Sequence, residues 1–183
     1  MEFLGALWLP IVVSAVIVFV ASSIMHMVLP YHRSDYKKLA EEDKAREALR
    51  GLPRGLYSMP YCTHQTMKSP EIQEKFKQGP VALITIFPNG LPAIPKFMAM
   101  WFGYCLVIAF FVAYLAWHTL QPGSNYLAVF RVVGTAGFLA FSFAHISDGI
   151  WKAEPWSNVV KEVFDGLVYG LLMAGTFGWL WPR

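Results

Sequence analysis

The chain has 183 residues, of which 56% are hydrophobic and only 15% carry a charged side chain. A soluble domain carries charge on about a quarter of its residues, so the composition argues against a soluble globular protein. The net charge of +3 is small. No basic stripe with interleaved aromatic residues accompanies it, which argues against nucleic-acid binding.

Four apolar segments are each long enough to cross about 30 Å of hydrocarbon: residues 4–29, 94–120, 126–151 and 159–181. They predict an all-α integral membrane protein, a four-transmembrane-helix bundle that forms a single membrane domain over residues 1–183. The cytoplasmic loop at 30–93 is expected to contain short helices and one extended apolar segment. Glu2 stands where a signal peptide has basic residues, so the first segment is predicted to be a retained helix.

Lysine and arginine are concentrated between the first and second membrane helices, whereas the opposite side offers only Arg183, with Arg131 just inside the third helix. By the positive-inside rule, the loop at 30–93 is expected to be cytoplasmic, with both termini and the 121–125 turn outside. The architecture resembles that of short four-helix proteins of bacterial inner membranes. This resemblance implies a multi-pass protein of a bacterial-type cytoplasmic membrane in contact with the lipid bilayer.

Two short helices are predicted in the loop. Ser34 is a good N-cap residue for a helix that begins near Asp35 and stops at Gly51. Ser69, followed by proline, predicts the start of a second helix that ends at Gly79. The charges on both helices are expected to form solvated faces.

An apolar run at 81–87 is too short to cross a bilayer and is bounded by turn residues. We expect it to be extended and packed on the bundle, or to anchor at the membrane interface. A paired strand would need a partner, and the sequence suggests none within the chain. Pairing across a homodimer therefore stays open.

Cys62 and His64 form a Cys-x-His pair in the loop. A zinc site needs three or four ligands at recognisable spacing, so this pair alone predicts no metal site. Cys105 lies inside the second membrane helix, too far from Cys62 on this topology for a disulfide.

Polar side chains recur along one face of the third membrane helix: Arg131, Thr135, Ser142 and His145. The third membrane helix is therefore expected to be central in the bundle, polar on one side and packed on another.

Three polar residues are candidates for the lining of an outer vestibule: Arg131, His118 and Gln121.

The fourth membrane helix carries a small residue at every fourth position: Gly166, Gly170, Ala174 and Gly178. Such a ridge lets two helices approach closely. The ridge is expected either to pack within the monomer or to form a homo-oligomer, and the sequence does not separate the two.

Five ionisable residues fall within or at the edge of the membrane helices: His26, His145, Asp148, Glu162 and Asp165. The predicted orientation puts all five in the cytoplasmic leaflet. Ionisable groups in membrane segments are costly and are candidates for functional sites. We therefore predict one polar cluster, which is structural or handles a ligand or a proton, without assigning it a catalytic role.

Three functional hypotheses follow. In the first, which we favour, the polar groups satisfy one another, and the protein is a non-enzymatic accessory or structural subunit that associates with itself or with other membrane subunits. In the second, it is a small proton- or cation-handling transporter or channel that acts as an oligomer. In the third, it binds haem b or a quinone through His26 and His145. No metal and no cofactor are expected under the first hypothesis.

Overall fold

The computed structural model describes residues 2–183, and 69% of the chain is helical. The chain divides into two compact units, one formed by residues 2–36 with Ala93–Arg183 and the other by Lys37–Pro92. We call them the bundle unit and the loop unit.

The elements follow in chain order: α1 (Glu2–Ser23), α2 (Glu42–Ala48), β1 (Gly55–Met59), α3 (Pro70–Gln78), β2 (Ala82–Ile86), α4 (Ile94–Thr119), α5 (Tyr126–Trp151) and α6 (Trp156–Leu180). A π-helical turn at Ile24–Val28 continues α1, and a 3₁₀ turn follows at Pro30–Ser34.

Four helices, namely α1 with its π-helical turn, α4, α5 and α6, are long and apolar enough to span a membrane. This confirms the coarser part of the prediction, a mostly helical chain with four long apolar helices. The observed ends lie within a few residues of the predicted ones; the largest difference is at α6, which begins at Trp156. The residue before it, Pro155, has an extended backbone (ψ 128°).

In the bundle, α1 contacts α4 and α6, and α5 contacts the same two helices. The core between them contains fully buried apolar side chains from all four helices, among them Leu7, Cys105, Val133 and Phe177. Because these contacts close a ring, α6 has two neighbours, α5 on one side and α1 on the other.

The small-residue ridge of α6 packs against α5 within the same chain. A Cβ atom on Gly170 would lie 2.7 Å from the backbone nitrogen of Phe138. A Cβ atom on Gly178 would lie equally close to the Tyr126 ring, at 2.7 Å. Of the two arrangements that the sequence allowed, the structure therefore has the ridge inside the monomer.

In the loop unit, α3 begins as predicted. The Ser69 hydroxyl accepts a hydrogen bond from the backbone N–H of Ile72, and the helix ends before Gly79. Gly79 has a φ of 62°, which favours a residue without a side chain.

The apolar run at 81–87 is a strand, and the sequence analysis missed its partner. β2 pairs antiparallel with β1 of the same chain, with Gly55 opposite Ile86 and Met59 opposite Ala82. β1 has only five residues and a mixed composition, so its alternation is too weak to predict a strand. Pairing across a homodimer is not needed to satisfy β2 along this edge.

The predicted helix from Asp35 is wrong, because the first helix of the loop begins at Glu42 instead. Ser34 and Asp35 lie at the end of the 3₁₀ turn, and their side chains accept hydrogen bonds from Lys161 of α6. These tertiary contacts replace the local cap that the sequence suggested.

Candidate functional site

The chain folds back on itself where α1 ends. In the π-helical turn, the Leu29 N–H donates to the Ile24 carbonyl at 3.0 Å. Leu29 is extended, and Pro30 then starts the 3₁₀ turn. This reversal places the His32 ring on the His26 ring, with centroids 4.1 Å apart and planes at 23°. Single π-helical turns are frequent at functional sites.

Asp165 of α6 is the centre of the contacts at this end of the bundle, which we call the polar end. The residue is only 1% exposed. Its Oδ1 accepts a hydrogen bond from the Tyr31 hydroxyl at 2.5 Å, and its Oδ2 lies 2.8 Å from His32 Nε2. The same Oδ2 lies 3.3 Å from His26 Nε2. A carboxylate buried this deeply is stable only when it is paired in this way.

A second carboxylate holds the other side of the His32 ring. His32 Nδ1 lies 2.5 Å from Asp35 Oδ2. Lys161 donates to the other oxygen of Asp35 at 2.6 Å, and the Asn158 amide donates to the Asp35 backbone carbonyl at 3.2 Å. The segment after α1 is thereby fixed to the first turns of α6, and the His32 ring is held between two carboxylates.

These contacts shift the titration of the groups beyond the end of α1. Burial alone would lower the pKa of His32, but its hydrogen bonds to Asp35 and Asp165 and their negative charges raise it. Burial alone would raise the pKa of Asp35, but hydrogen bonds from Lys161 and His32 lower it. Burial and the hydrogen bond to Asp165 raise the pKa of Tyr31, which keeps its hydroxyl protonated as a donor.

Glu162 adds a third carboxylate beside the two imidazoles. One donor atom from each of His26, His32 and Glu162 lies within 4.8 Å of the other two. His145 of α5 reaches the edge of this group, with its Nε2 3.9 Å from Glu162 Oε2. Four of the five residues predicted to cluster are therefore connected at the polar end.

Asp148 is the predicted member that lies apart from these contacts. Its carboxylate is 2.7 Å from Lys152 Nζ, one turn later on α5. Such pairs at i, i+4 on a partly exposed helix face are ordinary and contribute little to stability.

The three residues proposed to line an outer vestibule are exposed: His118, Gln121 and Arg131. The His118 ring packs edge-on against Tyr114 of its own helix, with centroids 4.5 Å apart. The Gln121 backbone carbonyl accepts a hydrogen bond from the Trp181 indole at 3.0 Å, which ties the 121–125 turn to the end of α6. These contacts explain His118 and Gln121 as surface residues.

Sequence reasoning missed His32, Asp35 and Lys161 as members of the site. All but Lys161 follow the end of the first apolar segment, where polar residues read as solvated loop. The one available signal was Pro30, which starts a turn seven residues before the loop unit and so keeps the chain close to α1. The pairing of Asp35 with Lys161 spans more than 120 residues, and no local pattern encodes it.

Tyr169 lies one turn beyond Asp165 on the same face of α6. It is 3% exposed, and its hydroxyl has no hydrogen-bond partner among residues 2–183. Its ring packs edge-on against Phe141, with centroids 5.4 Å apart. The polar face of α6 therefore continues into the bundle beyond Asp165.

Chemically, the polar end offers two imidazole nitrogens and several carboxylate oxygens within a few ångströms, a donor set suited to binding a cation. His26, a residue of the haem hypothesis, has its ring stacked on His32. The second histidine of that hypothesis, His145, contacts Glu162.

No protein-family model, curated protein or solved structure matches the chain.

Proposed function

We propose that the protein is a non-enzymatic, multi-pass membrane protein that binds a cation at the polar end of its bundle. The excess of negative charge there carries the proposal. Three carboxylates (Asp35, Glu162 and Asp165) belong to this cluster, and the one ammonium group in it, that of Lys161, contacts Asp35. A protonated His32 would still leave negative charge uncompensated in a site of low dielectric, where it attracts a cation strongly.

The position of the site supports this function over conduction. The carboxylates lie where α1 ends and α6 begins, so a cation can arrive from one side of the membrane without crossing its apolar centre. An oligomeric channel built on the ridge of α6 has less support, because α5 already covers that ridge.

The test is a panel of cations added to the purified protein in detergent, with thermal unfolding as the readout. A ligand that binds only the folded state stabilises it, by about 2.7 kcal/mol at one hundred times its Kd. We expect at least one cation to raise the Tm of the wild type and to leave that of Asp165→Asn unchanged. Asp148→Asn, a matched change outside the cluster, should respond like the wild type. Equal responses of wild type and Asp165→Asn to every cation would reject the proposal.

A second candidate function is that of a structural or accessory subunit, in which the same network sets helix register. The observation in its favour is the attachment of Asp35 to α6 through both Lys161 and Asn158. This function requires the network but no cation. Co-purification of the wild type with other membrane proteins, lost in Lys161→Met and unaffected by chelators, would favour it.

The orientation belongs to the same proposal. The lysines and arginines of the loop unit support a cytoplasmic location for this unit in a bacterial-type inner membrane, which would make the polar end cytoplasmic. Cys62 offers a direct probe, because Cys105 is fully buried. A membrane-impermeant maleimide should label Cys62 in permeabilised cells and not in intact cells, with Cys62→Ser as the control. Labelling in intact cells would reverse the orientation.

A further inference from the structure

We propose that the cation is a divalent transition metal of the zinc class, held by His26, His32 and Glu162. The inference rests on the proposed function and narrows it to one class of ligand. Its basis is the type of donor: two imidazole nitrogens and a carboxylate oxygen suit zinc and its neighbours in the first transition row. Magnesium and calcium prefer sites made of oxygen alone.

The distances agree with a metal site that closes on binding. Bonds of about 2.0–2.1 Å to a tetrahedral zinc ion place neighbouring donor atoms about 3.3 Å apart. The donor atoms of His26, His32 and Glu162 lie within 4.8 Å of one another. The side chains of His26 and Glu162 are 39% and 28% exposed, so they have room to rotate towards a metal ion.

Asp165 lies beside both histidine donors, and we include it as a candidate fourth ligand. Its Oδ2 lies 2.8 Å from one histidine Nε2 and 3.3 Å from the other. Both separations are close to the spacing expected between two ligands of one tetrahedral ion. A fourth ligand of negative charge also balances the metal, since Glu162 and Asp165 together neutralise a divalent cation.

The surroundings of His32 match those of a metal ligand. Metal-binding histidines almost always hydrogen-bond a carboxylate or carbonyl through the ring nitrogen that does not face the metal. Here Asp35 occupies Nδ1, and Nε2 faces the other donors. Lys161 and Asn158 hold Asp35 in turn, which helps to orient the His32 ring.

The direct test is metal binding to the purified full-length protein after removal of metals with EDTA. Zn²⁺ is added, its stoichiometry is measured by elemental analysis, and its affinity is measured by competition with a chromophoric chelator. We expect one Zn²⁺ per chain. His26→Ala and Glu162→Gln should each lower the affinity at least about tenfold, and Asp35→Asn by about 10–100-fold, as for other carboxylates that orient a metal-bound histidine.

Two control variants separate this site from other zinc ligands in the chain. His118→Ala removes an exposed histidine outside the cluster, and the double variant Cys62→Ala, His64→Ala removes the Cys-x-His pair of the loop unit. Both should bind zinc like the wild type. Substitution of Co²⁺ gives a third readout, because tetrahedral Co²⁺ absorbs more strongly in the visible range than hexaaqua Co²⁺, and Glu162→Gln should weaken that absorption.

Each outcome decides the inference. Unchanged zinc affinity in both His26→Ala and Glu162→Gln would overturn it, as would loss of zinc from the Cys62, His64 double variant. If Na⁺, Mg²⁺ or Ca²⁺ stabilises the wild type and Zn²⁺ does not bind, the metal assignment fails while the proposed cation-binding function stands. If no cation binds, both fail. Should His26→Ala not fold, Glu162→Gln, at a partly exposed position, decides alone.

Discussion

The two sides of α6 hold the bundle together by opposite means. Towards α5, the helix presents glycine and alanine, and the two backbones approach so closely that a Cβ on Gly170 would meet the Phe138 backbone. Towards the end of α1, it presents Lys161, Glu162 and Asp165, which contact imidazole, phenol and carboxylate groups. The first interface depends on shape, and the second depends on charge.

This difference bears on where the proposed cation would bind. An interface of small residues is complete once the two helices are in contact, and van der Waals packing accounts for it. A buried group of carboxylates is costly to build unless each charge is paired. The polar side of α6 is therefore where a cation from outside the chain can contribute, and the glycine side is where one cannot.

The largest expected effect is on the polar side. Asp165→Ala removes the partner shared by Tyr31, His26 and His32, and leaves the largely buried His32 ring without one of its two carboxylates. We expect the free energy of unfolding to fall by about 3–5 kcal/mol, as for other buried pairs that lose one partner. Unfolding by SDS in mixed micelles measures this change. Asp148→Ala, in an exposed pair, should change stability little, and equal losses in the two variants would refute the central position of Asp165.

The next largest effect is on the glycine side. Gly170→Ala adds a methyl group where the Phe138 backbone nitrogen is only 2.7 Å away, and backbone cannot yield as a side chain can. We expect a loss of about 1–3 kcal/mol, typical of overpacking. Gly175→Ala is the matched control on the same helix, because its nearest neighbour, the Tyr126 hydroxyl, lies at an ordinary 3.7 Å. A tolerated Gly170→Ala would mean that the two helices are further apart than described.

The smallest expected effect on stability is also in the interface between α6 and α5. The Ser142 hydroxyl donates to the Val163 carbonyl of α6 at 3.2 Å, and is one polar contact in an interface of small residues. Ser142→Ala should cost about 0.6 kcal/mol, the average for such bonds between membrane helices. Ser147→Ala, exposed on the same helix, sets the baseline. A loss comparable to that of Asp165→Ala would show that this side also depends on polar contacts.

Long periodic features could be predicted from the sequence, and contacts distant along the chain could not. The four membrane helices follow from apolar length alone, and the α3 cap follows from Ser69 and the proline after it. β1 was missed because five mixed residues carry no clear alternation. The small-residue ridge was recognised, but its partner was not, because a Gly-x-x-x-Gly spacing fits a neighbour in the same chain or in another.

The candidate site was predicted in part for the same reason. His26, Glu162 and Asp165 stand out because ionisable groups are rare in membrane helices. His32 does not stand out, since it follows the first apolar segment, where a histidine costs nothing. Its role depends on the turn at Pro30–Ser34 and on Asp35 being held by Lys161, which are properties of the folded chain.

The most direct test of the cation site is X-ray absorption at the zinc edge on the wild type loaded with one equivalent of Zn²⁺. The proposed zinc site predicts a first shell of nitrogen and oxygen at about 2.0–2.1 Å, with the outer-shell scattering of two imidazole rings. Removal of His26 should reduce that scattering to a single ring. A first shell containing sulfur at about 2.3 Å, or one of oxygen alone without imidazole scattering, would contradict it.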